Sequence, residues 1–115
     1  RKEIIIVGGK NIFPQDLEYL ASQVSGVHPG RVVAFGIYNE AIGTEEIAIV
    51  AEIDQEFEEQ QIEIAREIRA VVNQGSDVAV RFVETVERGW LIKTSSGKTA
   101  RGANREKYRQ MKGIQ

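Results

Sequence analysis

The segment Glu45 to Ile53 constrains this fold more than any other. Ile47, Ile49, Ala51 and Ile53 alternate with Ala48, Val50 and Glu52, the period of two that sends alternate side chains to opposite faces of a strand. One face is firmly apolar and must be covered by something. Two stretches carry the helical period needed to cover it. In the first, Pro14 suits an initial helical position and Asp16 and Glu18 place acids in the first turn. Leu17, Leu20, Ala21 and Val24 then share one face before Ser25-Gly26 ends the run. In the second, Phe57 to Asn73, the residues Ile62, Ala65, Ile68 (or Arg69) and Val72 recur at helical spacing, and Gly75 sits where a C-cap is expected.

The remaining elements follow from local chemistry. Glu3-Ile4-Ile5-Ile6-Val7 is a β-rich run ended by Gly8-Gly9, with Lys10-Asn11-Ile12-Phe13 as the returning strand of a hairpin. Arg31 to Tyr38 is a further strand, joined to Glu45–Ile53 by the loop from Asn39 to Thr44. Asp77 to Glu84 is a third, with Val78, Val80 and Phe82 on one face, and Asn104 to Met111 is a short last helix with Asn104 as its cap. The fold class expected is α+β: an N-terminal two-stranded hairpin, then a three-stranded sheet with helices packed on it, forming one domain over residues 1–115.

Composition excludes several chemistries. The chain has no cysteine, so it builds no disulfide framework and no thiolate metal site. His28 is the single histidine and is expected in a turn between Val27 and Pro29, with a structural role. No apolar run approaches the ~20 residues of a membrane span, no signal peptide is visible, and a cytoplasmic protein is expected. The chain begins with Arg1 rather than methionine, as expected of a piece of something longer. Net charge is −2, but it is unevenly spread. From Val32 to Ala65 every charged residue is acidic, which reads as a solvated face. From Arg88 to Lys112 there are eight basic residues (Arg88, Lys93, Lys98, Arg101, Arg105, Lys107, Arg109, Lys112) against Glu106 alone, and this implies an anionic partner.

Within the basic segment, Leu91-Ile92-Lys93-Thr94-Ser95-Ser96-Gly97-Lys98-Thr99-Ala100-Arg101 has the makeup of an anion-handling loop. Hydroxyls donate hydrogen bonds, glycine allows close backbone approach and lysine supplies charge. A Walker-type phosphate loop needs a glycine five residues before the Gly-Lys pair, and that position is Ile92, so this class is set aside. A stand-alone module holding nucleotide or RNA with its basic tail remains as the alternative function.

Two segments together carry a more specific resemblance. Lys2-Glu3-Ile4-Ile5-Ile6-Val7-Gly8-Gly9-Lys10-Asn11-Ile12-Phe13-Pro14-Gln15-Asp16-Leu17-Glu18 resembles the hinge motif of the adenylate-forming enzymes, and Leu91 to Arg101 resembles the same family's C-terminal lysine motif. The family includes acyl-CoA synthetases and fatty acyl-AMP ligases. The motifs stand in the right order near the two ends of the chain, which is therefore similar to the family's small C-terminal lobe, starting at the interdomain hinge.

The resemblance implies a two-step ATP-dependent reaction: a carboxylate, a fatty acid by preference, is adenylated, and the acyl group then passes to the thiol of coenzyme A or of carrier-protein phosphopantetheine. The implied partners are the large N-terminal domain, which would hold most of the ATP and its Mg, the carboxylic acid substrate, and an acyl carrier protein as one possible acceptor. Neither nucleic acid nor a membrane span is implied. Lys98 matches the adenylation lysine and Lys2 the hinge. Ser95, Ser96 and Gly97 would shape the turn that extends Lys98. Lys93 and Arg101 would support the loop or meet phosphate at its rim. Gly8 and Gly9 match the turn that faces the active site in the thioester-forming state, and Glu18 matches the motif's closing acid, expected to pair with a nearby base.

The sequence departs from the pattern in three places. Ile92 stands where proline is usual, so a less rigid loop is expected. Thr99 replaces an apolar residue, and Asn11 replaces an arginine that contacts phosphate in some members. Trp90 is expected to pack and anchor the loop, while Tyr38 and Tyr108 give no usable signal.

Overall fold

The computed structural model describes residues 3–114. Its elements are β1 (Ile5–Val7), β2 (Lys10–Ile12), α1 (Pro14–Ser22), β3 (Val27–Asn39), β4 (Thr44–Ile53), a 3-10 helix (Gln55–Gln60), α2 (Gln61–Ser76), β5 (Val80–Val86) and α3 (Arg101–Lys112). β1 and β2 form an antiparallel hairpin; β3, β4 and β5 form a sheet in that order, with β4 antiparallel to β3 and parallel to β5. The α+β architecture is the one expected.

β4 is central and buried on both faces, as its apolar run requires. Ile47, Ile49, Ala51 and Ile53 face a core shared with Leu17, Ala21 and Val24 from α1 and its end, Ile64, Ile68 and Val72 of α2, and Ile5 and Ile12 of the hairpin. On the other face Ala48 and Val50 join Val33, Phe35, Ile37, Val86, Trp90, Leu91 and Tyr108. The hairpin thus belongs to one layer, and the root of the lysine loop with α3 to the other.

Three expectations are corrected. First, the apolar positions of β5 do not share one face. Ile47 pairs with Val80 but Ala48 with Phe82, so Arg81 is an extra residue and the alternation inverts there. Val78 and Val80 pack into the first core and Phe82 into the second. Second, α2 buries Ile64, Ile68 and Val72, while Ile62 is 68% exposed. A 3-10 helix occupies Gln55–Gln60 where the expected helix would begin, and Asp77 in the left-handed region ends α2, with Gly75 inside it. Third, α3 begins at Arg101, and Asn104 lies within it, fully buried.

The hairpin turn takes left-handed backbone at both Gly8 (φ 56°) and Gly9 (φ 83°), the geometry that two-residue turns demand. Gly36 of β3 lets the hairpin dock. A methyl group there would lie 2.0 Å from Glu45 Oε1 and 2.9 Å from Ile5 Cγ2. Glu45 Oε2 accepts the Ile6 N–H at 3.0 Å, and Thr44 Oγ1 accepts the Gly8 N–H at 2.8 Å and donates to the Ile6 carbonyl at 3.1 Å. Gly36→Ala is expected to displace Glu45 and loosen the hairpin, at about 1–3 kcal/mol. Denaturant midpoints would measure the loss, and faster amide exchange at Ile6 and Gly8 would locate it.

Tyr108 centres the second core, edge-on to Phe35 at 5.8 Å and Phe82 at 6.2 Å. Burial, then the Glu84 charge, pushes its phenol from 10.0 up to about 12, with Arg81 opposing. The folded state therefore keeps a proton that the unfolded chain releases above pH ~10, so stability falls as pH rises from about 10 to 12, by roughly 2–3 kcal/mol. Tyr108→Phe should flatten that part of an alkaline unfolding curve.

Candidate functional site

The lysine loop is built from its root upward. After β5, Trp90 and Leu91 turn inward and are buried. The Lys107 ammonium lies 4.1 Å over the Trp90 ring and also donates to the Trp90 carbonyl, so Trp90 packs and anchors as expected. Above this root the chain makes a short hairpin-like turn. Lys93 bridges Thr99, the Thr94 N–H donates to the Lys98 carbonyl at 2.7 Å, and the Gly97 N–H to the Thr94 carbonyl at 2.9 Å. Thr94 Oγ1 accepts the Lys98 N–H at 3.2 Å and lies 3.0 Å from Ser96 Oγ. Gly97 has φ 85°, a conformation costly for other residues. Ser95, Ser96, Gly97 and Lys98 are all exposed.

Cation placement separates Lys98 from its neighbours. Arg88 pairs with Glu52 and Asp54. Lys93 Nζ donates to the Gly30 carbonyl at 2.7 Å. Arg101 Nη2 pairs with Glu18 Oε2 at 2.7 Å, and its Nε donates to the Ala34 carbonyl at 3.0 Å. Arg105 donates to the Gly36 carbonyl and Lys112 pairs with Glu84. Among the described residues, Lys98 and Arg109 alone of the eight basic side chains have no hydrogen-bond or ion-pair partner. Lys98 is the one raised on a glycine turn. The basic segment is thus largely consumed internally: Lys93 is held at the Gly30 carbonyl and Arg101 at Glu18. Glu18 does find its base, Arg101.

The Gly8-Gly9 turn is open: nothing lies within 4 Å of a methyl group built at either glycine. It roots in the first core, so the fold does not bring it into one cluster with the lysine loop. Asn11 is exposed, and Lys2 lies outside the described residues. Among the described residues, no group of three or more His, Asp or Glu side chains could hold a metal ion.

Two residues beneath the loop are not singled out by the loop's own sequence. Glu52, fully buried, accepts the Leu91 N–H at 2.9 Å and the Arg88 Nε–H at 3.2 Å. Asn104 Oδ1 accepts the Ile92 N–H at 2.9 Å, while its Nδ2 donates to the carbonyls of Ile92 at 3.0 Å and Ala100 at 2.9 Å. Without the usual proline, the Ile92 backbone is held at both its N–H and its carbonyl by Asn104. A discoverable signal existed for Asn104: it stands four residues before Tyr108, on the same helix face. His28 lies in β3 and not in the turn expected for it; its Nδ1 is 2.9 Å from Asp54 Oδ1 and 3.1 Å from Arg88 Nη1, in a polar cluster at the strand ends.

No protein-family model matches the chain. It is 32% identical to a long-chain-fatty-acid–AMP ligase of Mycobacterium marinum, over 93% of this chain and 20% of the relative. It is also 32% identical to a medium-chain-fatty-acid–[acyl-carrier-protein] ligase of Moorena producens, over 93% of this chain and 18% of that protein. The chain thus spans about a fifth of the length of the curated relatives it matches. Among solved structures, that of McyG A-PCP complexed with phenylalanyl-adenylate superposes with a TM-score of 0.87 at 30% identity, covering 96% of this chain and 20% of that one. The chain thus has the fold of the C-terminal lobe of the adenylate-forming enzymes, and its relatives in sequence are ligases of that family.

Proposed function

We propose that the chain is the mobile C-terminal lobe of an ATP-dependent acid–thiol ligase that adenylates a fatty acid and passes the acyl group to a thiol. The observation that carries this reading is the isolation of Lys98: an exposed cation on a braced glycine turn, with no partner among the described residues, in a segment whose other cations are mostly spent on internal partners. In the first step a carboxylate oxygen attacks the α-phosphorus of ATP and the bond to pyrophosphate breaks. Two anions approach each other there, so a positioned cation is worth several kcal/mol. Lys98 supplies that charge. Ser95, Ser96 and Gly97 shape its turn, and Lys93 and Arg101 brace the loop from within.

In the second step the open Gly8-Gly9 turn, free of side chains, would face the thiol of coenzyme A or of a carrier-protein phosphopantetheine arm. Lys2 would absorb the rotation between the two states. The large lobe would supply most of the contacts to ATP and its magnesium. An RNA-binding module is disfavoured by the internal pairing of the basic segment, because paired cations release few counterions.

ATP–pyrophosphate exchange tests the reading. The protein that carries this chain is expected to show exchange stimulated by fatty acids across a panel of carboxylates. Failure with every carboxylate, alongside tight and salt-steep RNA binding, would overturn it.

A further inference from the structure

Buried polar side chains have to find partners, and where two of them converge on one backbone segment they define its position. Beneath the lysine loop this occurs at adjacent residues. The Glu52 carboxylate comes from the central strand, is fully buried, and takes the Leu91 N–H. The Asn104 carboxamide comes from α3, is also fully buried, and takes both backbone groups of Ile92 together with the Ala100 carbonyl. The Ala100 N–H in turn donates to the Ile92 carbonyl at 3.1 Å. Asn104 thus ties together the two residues at which the chain enters and leaves the turn that carries Lys98. Its three hydrogen bonds match two carbonyls and one N–H, a set that no carboxylate or apolar isostere reproduces.

We propose that Asn104, supported by Glu52, is a positioning residue for Lys98: its carboxamide clamps Ile92 and Ala100 and so fixes where the loop presents the lysine. Neither residue touches substrate. Ile92 has an N–H that would be left unpaired at the loop base without the carboxamide oxygen, and Asn104 removes that penalty while locking the turn. The role rests on Lys98 being the adenylation cation.

The test is a double-mutant cycle in the enzyme that carries this chain. Asn104→Leu should lower the turnover of pyrophosphate exchange about tenfold to a hundredfold, since a misplacement near 1 Å costs of that order. The KM for ATP should stay unchanged, and thioester formation from supplied acyl-adenylate should stay within about twofold of normal. In a Lys98→Ala background, Asn104→Leu should add no further loss. Should Asn104→Leu not fold, Asn104→Ser, which leaves room for water to satisfy the three backbone groups, carries the same comparison.

Losses that multiply in the double variant, or equal damage to both half-reactions, would overturn the positioning role. Normal exchange in Asn104→Leu beside an inactive Lys98→Ala would remove this role alone. Exchange that survives Lys98→Ala would remove the reading of Lys98, and this role with it.

Discussion

Lys98→Ala in the enzyme carrying this chain is expected to cut acyl-adenylate formation by two to three orders of magnitude while sparing thioester formation from supplied acyl-adenylate. The size follows from what one preorganised donor contributes where charge develops, about 3–4 kcal/mol. Lys98 meets the structural conditions for that contribution. Its ammonium is not committed to an internal partner among the described residues, and its backbone is held by Thr94 through both its N–H and its carbonyl. Its backbone is therefore organised in advance, and in the proposed reaction only the side chain has to be ordered against phosphate. Lys98→Arg keeps the charge but changes its shape and reach, and should recover only part of the rate. Pyrophosphate exchange and a thioester assay, run on the same preparations, would check both statements. Equal loss of the two half-reactions would show that the lysine acts through the fold.

Arg101→Leu is expected to remove about 3 kcal/mol of stability. The Arg101 and Glu18 side chains are only 14% and 18% exposed, so this pair is largely shielded from water and salt, unlike the surface pairs that contribute little. Glu18 Oε2 also accepts the Ala34 N–H at 2.8 Å, and Arg101 donates to the Ala34 carbonyl. The two side chains therefore complete the hydrogen bonding of Ala34, on the edge of β3. Removing the guanidinium strands a mostly buried carboxylate, which is the costly situation. The double variant Glu18→Leu/Arg101→Leu should lose clearly less than the sum of the single losses, because no charge is left unpaired. Denaturant unfolding of the four proteins would measure the coupling. A single-variant loss below about 0.5 kcal/mol would mean that water screens the pair.

Much of the fold is legible in the sequence. Alternation in Glu45–Ile53 identifies the central strand, and Gly8-Gly9 identifies the hairpin; of Leu17, Leu20, Ala21 and Val24, Leu17 and Ala21 are the buried face of α1, Leu20 is partly buried and Val24 is buried just past its end. These signals are local, and the burial of the described residues agrees with them. Illegible features depended on the register between distant segments. The face change at Arg81 arises where β5 pairs with β4, and no pattern within β5 reveals it. Within α2 the residues Ile62, Ile64, Ile68 and Val72 offer two overlapping apolar faces, and only packing against the sheet and α1 selects Ile64, Ile68 and Val72. Glu52 read as the polar member of an alternating strand, since its sequence neighbours do not show that Leu91 lies beside it. Asn104 read as a helix cap, the common use of asparagine near a helix start, whereas here its side chain serves another segment's backbone.

The Arg101–Glu18 tie also has a mechanical meaning. It joins the helix that follows the glycine turn to the helix that follows the lysine loop, around the edge of a sheet whose two faces root those segments separately. Turn and loop are thus mounted on one stiff body, like two tools on a single turret. If the lobe swings about its N-terminal end as proposed, bringing one tool to the bench must carry the other away. The order of the two half-reactions would then be enforced by leverage, with no need for either substrate to repel the wrong tool.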